Sequence, residues 1–103
     1  MAPDRIRRYA AMGLGGRAAR YGITEVALLR HADGSLVLLF VLHDADAGTV
    51  EFAEDAFDVF EASVGDSFAC SLLVLHDPGG ITEARPLLDL SPYTVDRLYR
   101  RPA

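Results

Sequence analysis

The run EVALLRHADGSLVLLFVL, residues 25–42, decides the fold. Asp33-Gly34 sits at its centre, and the glycine supplies the positive φ that a tight hairpin turn requires, so residues 25–30 and Leu36–Leu42 read as two antiparallel strands around residues 31–34. The second of these is apolar at seven consecutive positions. A strand with no polar alternation has both faces covered, which predicts a central place in the sheet.

Downstream, residues 44–48 read as a turn and residues 49–52 as a short third strand. Ala53, Ala56, Phe57, Phe60 and Val64 then recur at helical spacing over residues 54–64, with Glu54, Asp58 and Glu61 on the opposite, solvated face. Residues 67–75 resume as a strand, closed by the turn Asp77-Pro78-Gly79-Gly80. Residues 81–90 carry no clear period. Ser91-Pro92 suits the N-cap and first position of a final helix through Arg100, with Val95, Leu98 and Tyr99 on one face.

Upstream, Pro3 and Asp4 open a short helix in which Ile6, Tyr9 and Ala10 share a face. Gly13, Gly15 and Gly16 predict a loop or hinge after it, because each glycine inside a helix costs about 1 kcal/mol relative to alanine. The expected fold is α+β: a largely antiparallel sheet of about four strands, a central helix and a helix at each end, in the order α-β-β-β-α-β-α. At 103 residues the chain reads as a single domain, with residues 1–21 a basic, glycine-hinged arm or helix, 22–90 the sheet and helix core and 91–103 the terminal helix.

Charge is sharply partitioned. All ten cations are arginines and none lies between His31 and Ala84, where eleven carboxylates stand; the flanking segments carry +4 and +2, and the chain as a whole −5. Such partition favours contacts with a basic partner or between subunits. The acidic total argues against nucleic-acid binding by Arg5, Arg7, Arg8, Arg17 and Arg20 with Tyr9 and Tyr21; exchange of the arms in a homodimer accounts for them better. No apolar run is long enough for a bilayer span, and no apolar segment follows the N-terminal arginines as in a secretory signal. The single cysteine, Cys70, cannot form an internal disulfide and fits a cytoplasmic protein. It reads as an inert thiol inside a core strand.

The stretch of residues 25–64, with its strand, Asp-Gly turn, strand ending in Val-Leu-His-Asp, Gly-Thr-Val-Glu-Phe segment and helix bearing Phe57 and Phe60, resembles the small actinobacterial regulator family typified by BldB. Phe57 stands where that family often has tryptophan, and Ala53 where it has a capping serine or threonine. The resemblance implies a non-enzymatic regulator that binds a helix-turn-helix repressor. Carboxylates presented on a helix, such as Glu54, Asp58 and Glu61, would then compete with DNA phosphates for the repressor's basic side chains.

Chemistry has fewer footholds. The tetrapeptide Val-Leu-His-Asp occurs twice, at residues 41–44 and 74–77. If the two strand ends lie together, His43, Asp44, His76 and Asp77 supply two imidazoles and two carboxylates for a metal ion, although none of the compact ligand spacings accompanies them. Aspartate at a strand exit is ordinarily a turn former. No nucleophile elbow or phosphate loop is present, and Gly13 to Arg17 lacks the ending of one. The sequence therefore favours a small interaction protein with no cofactor that binds a basic protein through Glu54, Asp58 and Glu61. A metal-binding protein or enzyme built on the His-Asp pairs, and a structural subunit of an oligomer, are the alternatives.

Overall fold

The hairpin organises the sheet. In the computed structural model, which describes residues 2–77 and 93–102, β1 (Ile23–His31) and β2 (Leu36–Leu42) pair antiparallel from Arg30↔Leu36 to Ile23↔Leu42. Gly34 takes φ +94°, a conformation that a Cβ disfavours. The Asp33 carboxylate closes the turn, accepting the Ser35 N–H at 2.8 Å and the Ser35 hydroxyl at 2.7 Å.

β2 leads into α2 (Ala47–Val64), which returns the chain to β3 (Cys70–His76), parallel to β2. A parallel neighbour cannot be reached by a tight turn, and the helix provides the crossover. β4 (Tyr93–Arg100) adds antiparallel to the other side of β1, giving the order β3-β2-β1-β4. β2 is interior, as its unbroken apolar run predicts. The fold is α+β, and the described residues form a four-stranded sheet with two of its three strand pairs antiparallel.

Residues 49–52 and Tyr93–Arg100 take a secondary structure other than the one expected. Residues 49–52 are not a strand but lie in the first two turns of α2, because the Asp46 carboxylate caps the helix by accepting the Thr49 N–H at 2.8 Å. From there Thr49, Phe52, Ala53, Ala56, Phe60 and Val64 form one buried stripe. Tyr93–Arg100, expected as a helix, is the edge strand β4; the proposed cap Ser91-Pro92 and residues 81–90 lie outside the described residues. The segment Tyr-Thr-Val-Asp-Arg-Leu-Tyr-Arg satisfies both periods, and its β-branched and aromatic residues suit a strand. Its register shifts between Val26↔Tyr99 and Ala27↔Arg97, so Leu98 is an extra residue and both Leu98 and Tyr99 pack on the main core.

The first helix, α1 (Pro3–Leu14), continues through Gly13 and ends at Gly15. It packs against α2. Gly13 is the point of contact: a Cβ there would stand 2.7 Å from the Ala56 carbonyl oxygen, so hydrogen is the only side chain the crossing admits. Ile6, Ala10 and Leu14 join Val26, Leu28, Leu38, Phe40, Ala53 and Phe60 in the core between the helices and the sheet. Full burial of Phe40 and Phe60 stabilises the fold by roughly 1.5–3 kcal/mol for each ring. A smaller cluster of Ala27, Leu29, Leu39 and Val41 occupies the other sheet face.

Candidate interaction surface

Because α2 turns its apolar stripe inward, its carboxylates face water together. Glu51, Glu54, Asp55, Asp58 and Glu61 are all exposed. Glu54, Asp58 and Glu61 follow one another at spacings of four and three, so they lie along one side of the cylinder. Among the described residues none of the five forms an ion pair. The last turn of α2 holds no basic residue either, so the negative end of the helix dipole adds to their field.

That field concentrates at one place. Between the C-terminal half of α2 and the start of β3 lies an open groove of about 700 Å³ whose lining includes Asp58, Glu61, Asp66, Phe68 and Cys70. Asp66 was not singled out by sequence; its signal is its position just beyond the helix end at Gly65. Cys70, expected inside the core, is only half-buried and lines this groove. Burial, and secondarily the charge of Glu61, push its thiol pKa up. It is therefore held protonated and is a weak nucleophile.

Arg7, Arg17, Arg30 and Arg97 are engaged elsewhere. Arg7 Nε lies 3.0 Å from Asp96 Oδ1 and Arg30 Nη2 lies 3.3 Å from Asp96 Oδ2. Arg97 pairs with Glu25, whose side chain is 4% exposed. Arg17 sits over the Phe52 ring, 5.4 Å from its centroid, and Tyr21 stacks on the same ring at 4.4 Å. Arg7, Arg17 and Tyr21, three members of the basic and aromatic set considered for nucleic acid, are thus committed to contacts within the chain. None of these ion pairs reaches the carboxylates of α2.

The His-Asp pairs lie at neighbouring strand ends but out of step. β2 and β3 are parallel, which brings the two Val-Leu-His-Asp segments side by side, yet Val41 pairs with Leu75 and Leu42 with His76. The offset of one residue places His76 opposite Leu42 on the same side of the sheet, while His43 lies just beyond the end of β2. His43 Nε2 is 2.8 Å from Arg101 Nη1; an arginine only donates, so that nitrogen is the acceptor. Asp77 donates its N–H to the Leu42 carbonyl at 2.7 Å, and Asp44 donates its own to the Gly22 carbonyl at 3.2 Å. Among the described residues no three His, Cys, Asp or Glu side chains are grouped to hold a metal ion.

No protein-family model, curated protein or solved structure matches the chain. Among the described residues no helix is long and apolar enough to cross a membrane.

Proposed function

We propose that this chain is a small cytoplasmic interaction protein that binds a basic protein partner, such as a helix-turn-helix transcription regulator, through Glu54, Asp58 and Glu61. The observation that carries the reading is the absence, among the described residues, of any ion pair to the carboxylates of α2, while Arg7, Arg30 and Arg97 are paired elsewhere. Five carboxylates on one helix repel one another, at a cost of a few tenths of a kcal/mol for each neighbouring pair. An incoming arginine or lysine relieves that repulsion and gains a charge-assisted hydrogen bond. Complementarity of this kind speeds encounter and sets specificity more than it adds affinity.

The test is a comparison of the wild-type chain with the Glu54→Lys/Asp58→Lys/Glu61→Lys variant as bait in its source lysate. The wild type retains a basic DNA-binding protein that the folded variant does not, and addition of the wild type releases that protein from its DNA. Retention of the same protein by both baits would reduce the carboxylate face to solvated surface.

A further inference from the structure

The two edges of the sheet are built differently. β4 carries charge at Asp96, Arg97 and Arg100 together with a register shift, the features by which an edge strand is kept from pairing with another chain. β3 has neither. Its sequence, Cys-Ser-Leu-Leu-Val-Leu-His, contains no proline and no Asp, Glu, Lys or Arg, and it pairs with β2 in unbroken register from Leu36↔Cys70 to Leu42↔His76.

The free groups on that edge can be named. The Ala69 carbonyl accepts from Leu36 N–H at 2.9 Å, and Asp77 N–H donates to the Leu42 carbonyl at 2.7 Å. Odd-numbered residues of this stretch therefore direct their N–H and C=O groups toward β2. By alternation, Cys70, Leu72, Val74 and His76 direct theirs outward. Among the described residues nothing pairs with them.

We infer that β3 accepts an extended segment of another protein as a fifth strand, and that this segment alternates cationic with apolar side chains. The inference rests on the acidic-surface reading and specifies the form of its partner. The alternation follows from what flanks the edge. On the helix side the groove presents Asp58, Glu61 and Asp66, which suit arginine or lysine; on the other side lie Leu73 and Leu75, packed with Leu39 and Val41, which suit apolar residues. Strand addition takes its affinity from backbone hydrogen bonds and its specificity from alternate side chains. A second copy fits less well. Two β3 edges would bring the carboxylates of two α2 helices together, and β4 offers Asp96 and a bulge.

The probe is a heptapeptide of alternating arginine and valine, added to the full chain labelled with ¹⁵N, with two further peptides N-methylated at either alternate set of amides. In an added strand only one set faces β3. One methylated peptide is expected to bind at least tenfold more weakly and the other within about twofold of the parent. Amide exchange should slow at Leu72 and Val74, while Leu73, already bonded to β2, changes little. Asp58→Lys/Glu61→Lys should weaken the parent peptide at least tenfold. Equal binding of all three peptides, abolished by the charge reversal, would exclude the edge and leave the acidic surface standing. Unchanged binding to the reversal variant would remove the cationic requirement and overturn the proposal. Slowed exchange at Leu72 and Val74 in peptide-free oligomers would overturn it in favour of a second copy.

Discussion

Arg7 Nε and Asp96 Oδ1 stand 3.0 Å apart, joining α1 to β4 across 89 positions of sequence. The other oxygen of Asp96 accepts from Arg30 of β1 at 3.3 Å, and Arg7 also donates to the Arg97 carbonyl at 3.0 Å. One carboxylate thus ties the first helix, the central hairpin and the edge strand together. Removing it takes the carboxylate from two guanidinium groups, which keep only the Arg97 and Pro3 carbonyls as acceptors, and among the described residues Arg30 Nε is already buried without a partner. Asp96→Ala is expected to destabilise the protein by about 1–2 kcal/mol, because Arg7 is half-exposed while Arg30 is less so. Urea unfolding at low and high salt checks this: the difference from wild type should narrow as salt screens the pairs.

Gly13 gives a sharper prediction. In a free helix Gly→Ala gains about 1 kcal/mol. Here the new Cβ meets the Ala56 backbone at 2.7 Å, which cannot yield as a side-chain tip would, and overpacking of this kind costs about 1–3 kcal/mol. Gly13→Ala should therefore lower the melting temperature, the reverse of its intrinsic propensity. A rise would mean that the two helices separate at little cost.

These two residues also show what the sequence held and what it hid. The hairpin, the interior place of β2 and the apolar stripe of α2 were legible because turn chemistry and periodicity are local. Gly13 reads as part of a loop or hinge for the same reason: propensity sees the cost of a glycine, whereas its use at a helix crossing depends on Ala56, distant in sequence. Val95, Leu98 and Tyr99 fit helical spacing, and only the pairing partner in β1 makes Tyr93–Arg100 a strand. The carboxylates of α2 could be named from the sequence. Their lack of ion-pair partners among the described residues could not, because it depends on where the fold places the arginines, three of which are taken by Asp96 and Glu25. The groove escaped as well, since Asp66 and Cys70 meet there only through the return of β3.

The acidic face should contribute nothing favourable to stability. Changing Glu54, Asp58 and Glu61 to lysine breaks no ion pair among the described residues, mixes the charge signs along the helix and places a cation in its last turn, near the negative end of the dipole. The triple variant is expected to melt at or slightly above the wild-type temperature, a difference of under about 1 kcal/mol. Thermal denaturation followed by circular dichroism measures it. A large loss of stability would show that these carboxylates hold the fold and would compromise their use as a binding test.

Cys70 reports on the same groove. Its raised thiol pKa predicts slower labelling by a disulfide reagent at pH 8 than in an unfolded peptide of the same sequence, with a rate still climbing above pH 9. Glu61→Gln should quicken the reaction only modestly, because burial is the larger cause and remains. Glu61→Lys should quicken it further. A rate independent of residue 61 would separate Cys70 electrostatically from the helix.

Asp33 links the hairpin to pH. Two hydrogen bonds from Ser35, the hydroxyl's contribution larger than the backbone's, hold its carboxyl below the usual range. The folded chain therefore prefers the ionised form more strongly than the unfolded chain does. Its contribution to stability is complete above the unfolded pKa of about 3.9 and is lost as pH falls through the lower folded value. Asp33→Ala should thus show a lower urea midpoint than wild type at pH 7, and the gap should close as pH drops below about 4. Ser35→Ala, which removes the hydroxyl donor but leaves the backbone N–H, should close part of the gap at pH 7. A difference between Asp33→Ala and wild type that stayed constant down to pH 2 would assign the effect to turn conformation alone, since the neutral carboxyl would then serve as well as the charged one.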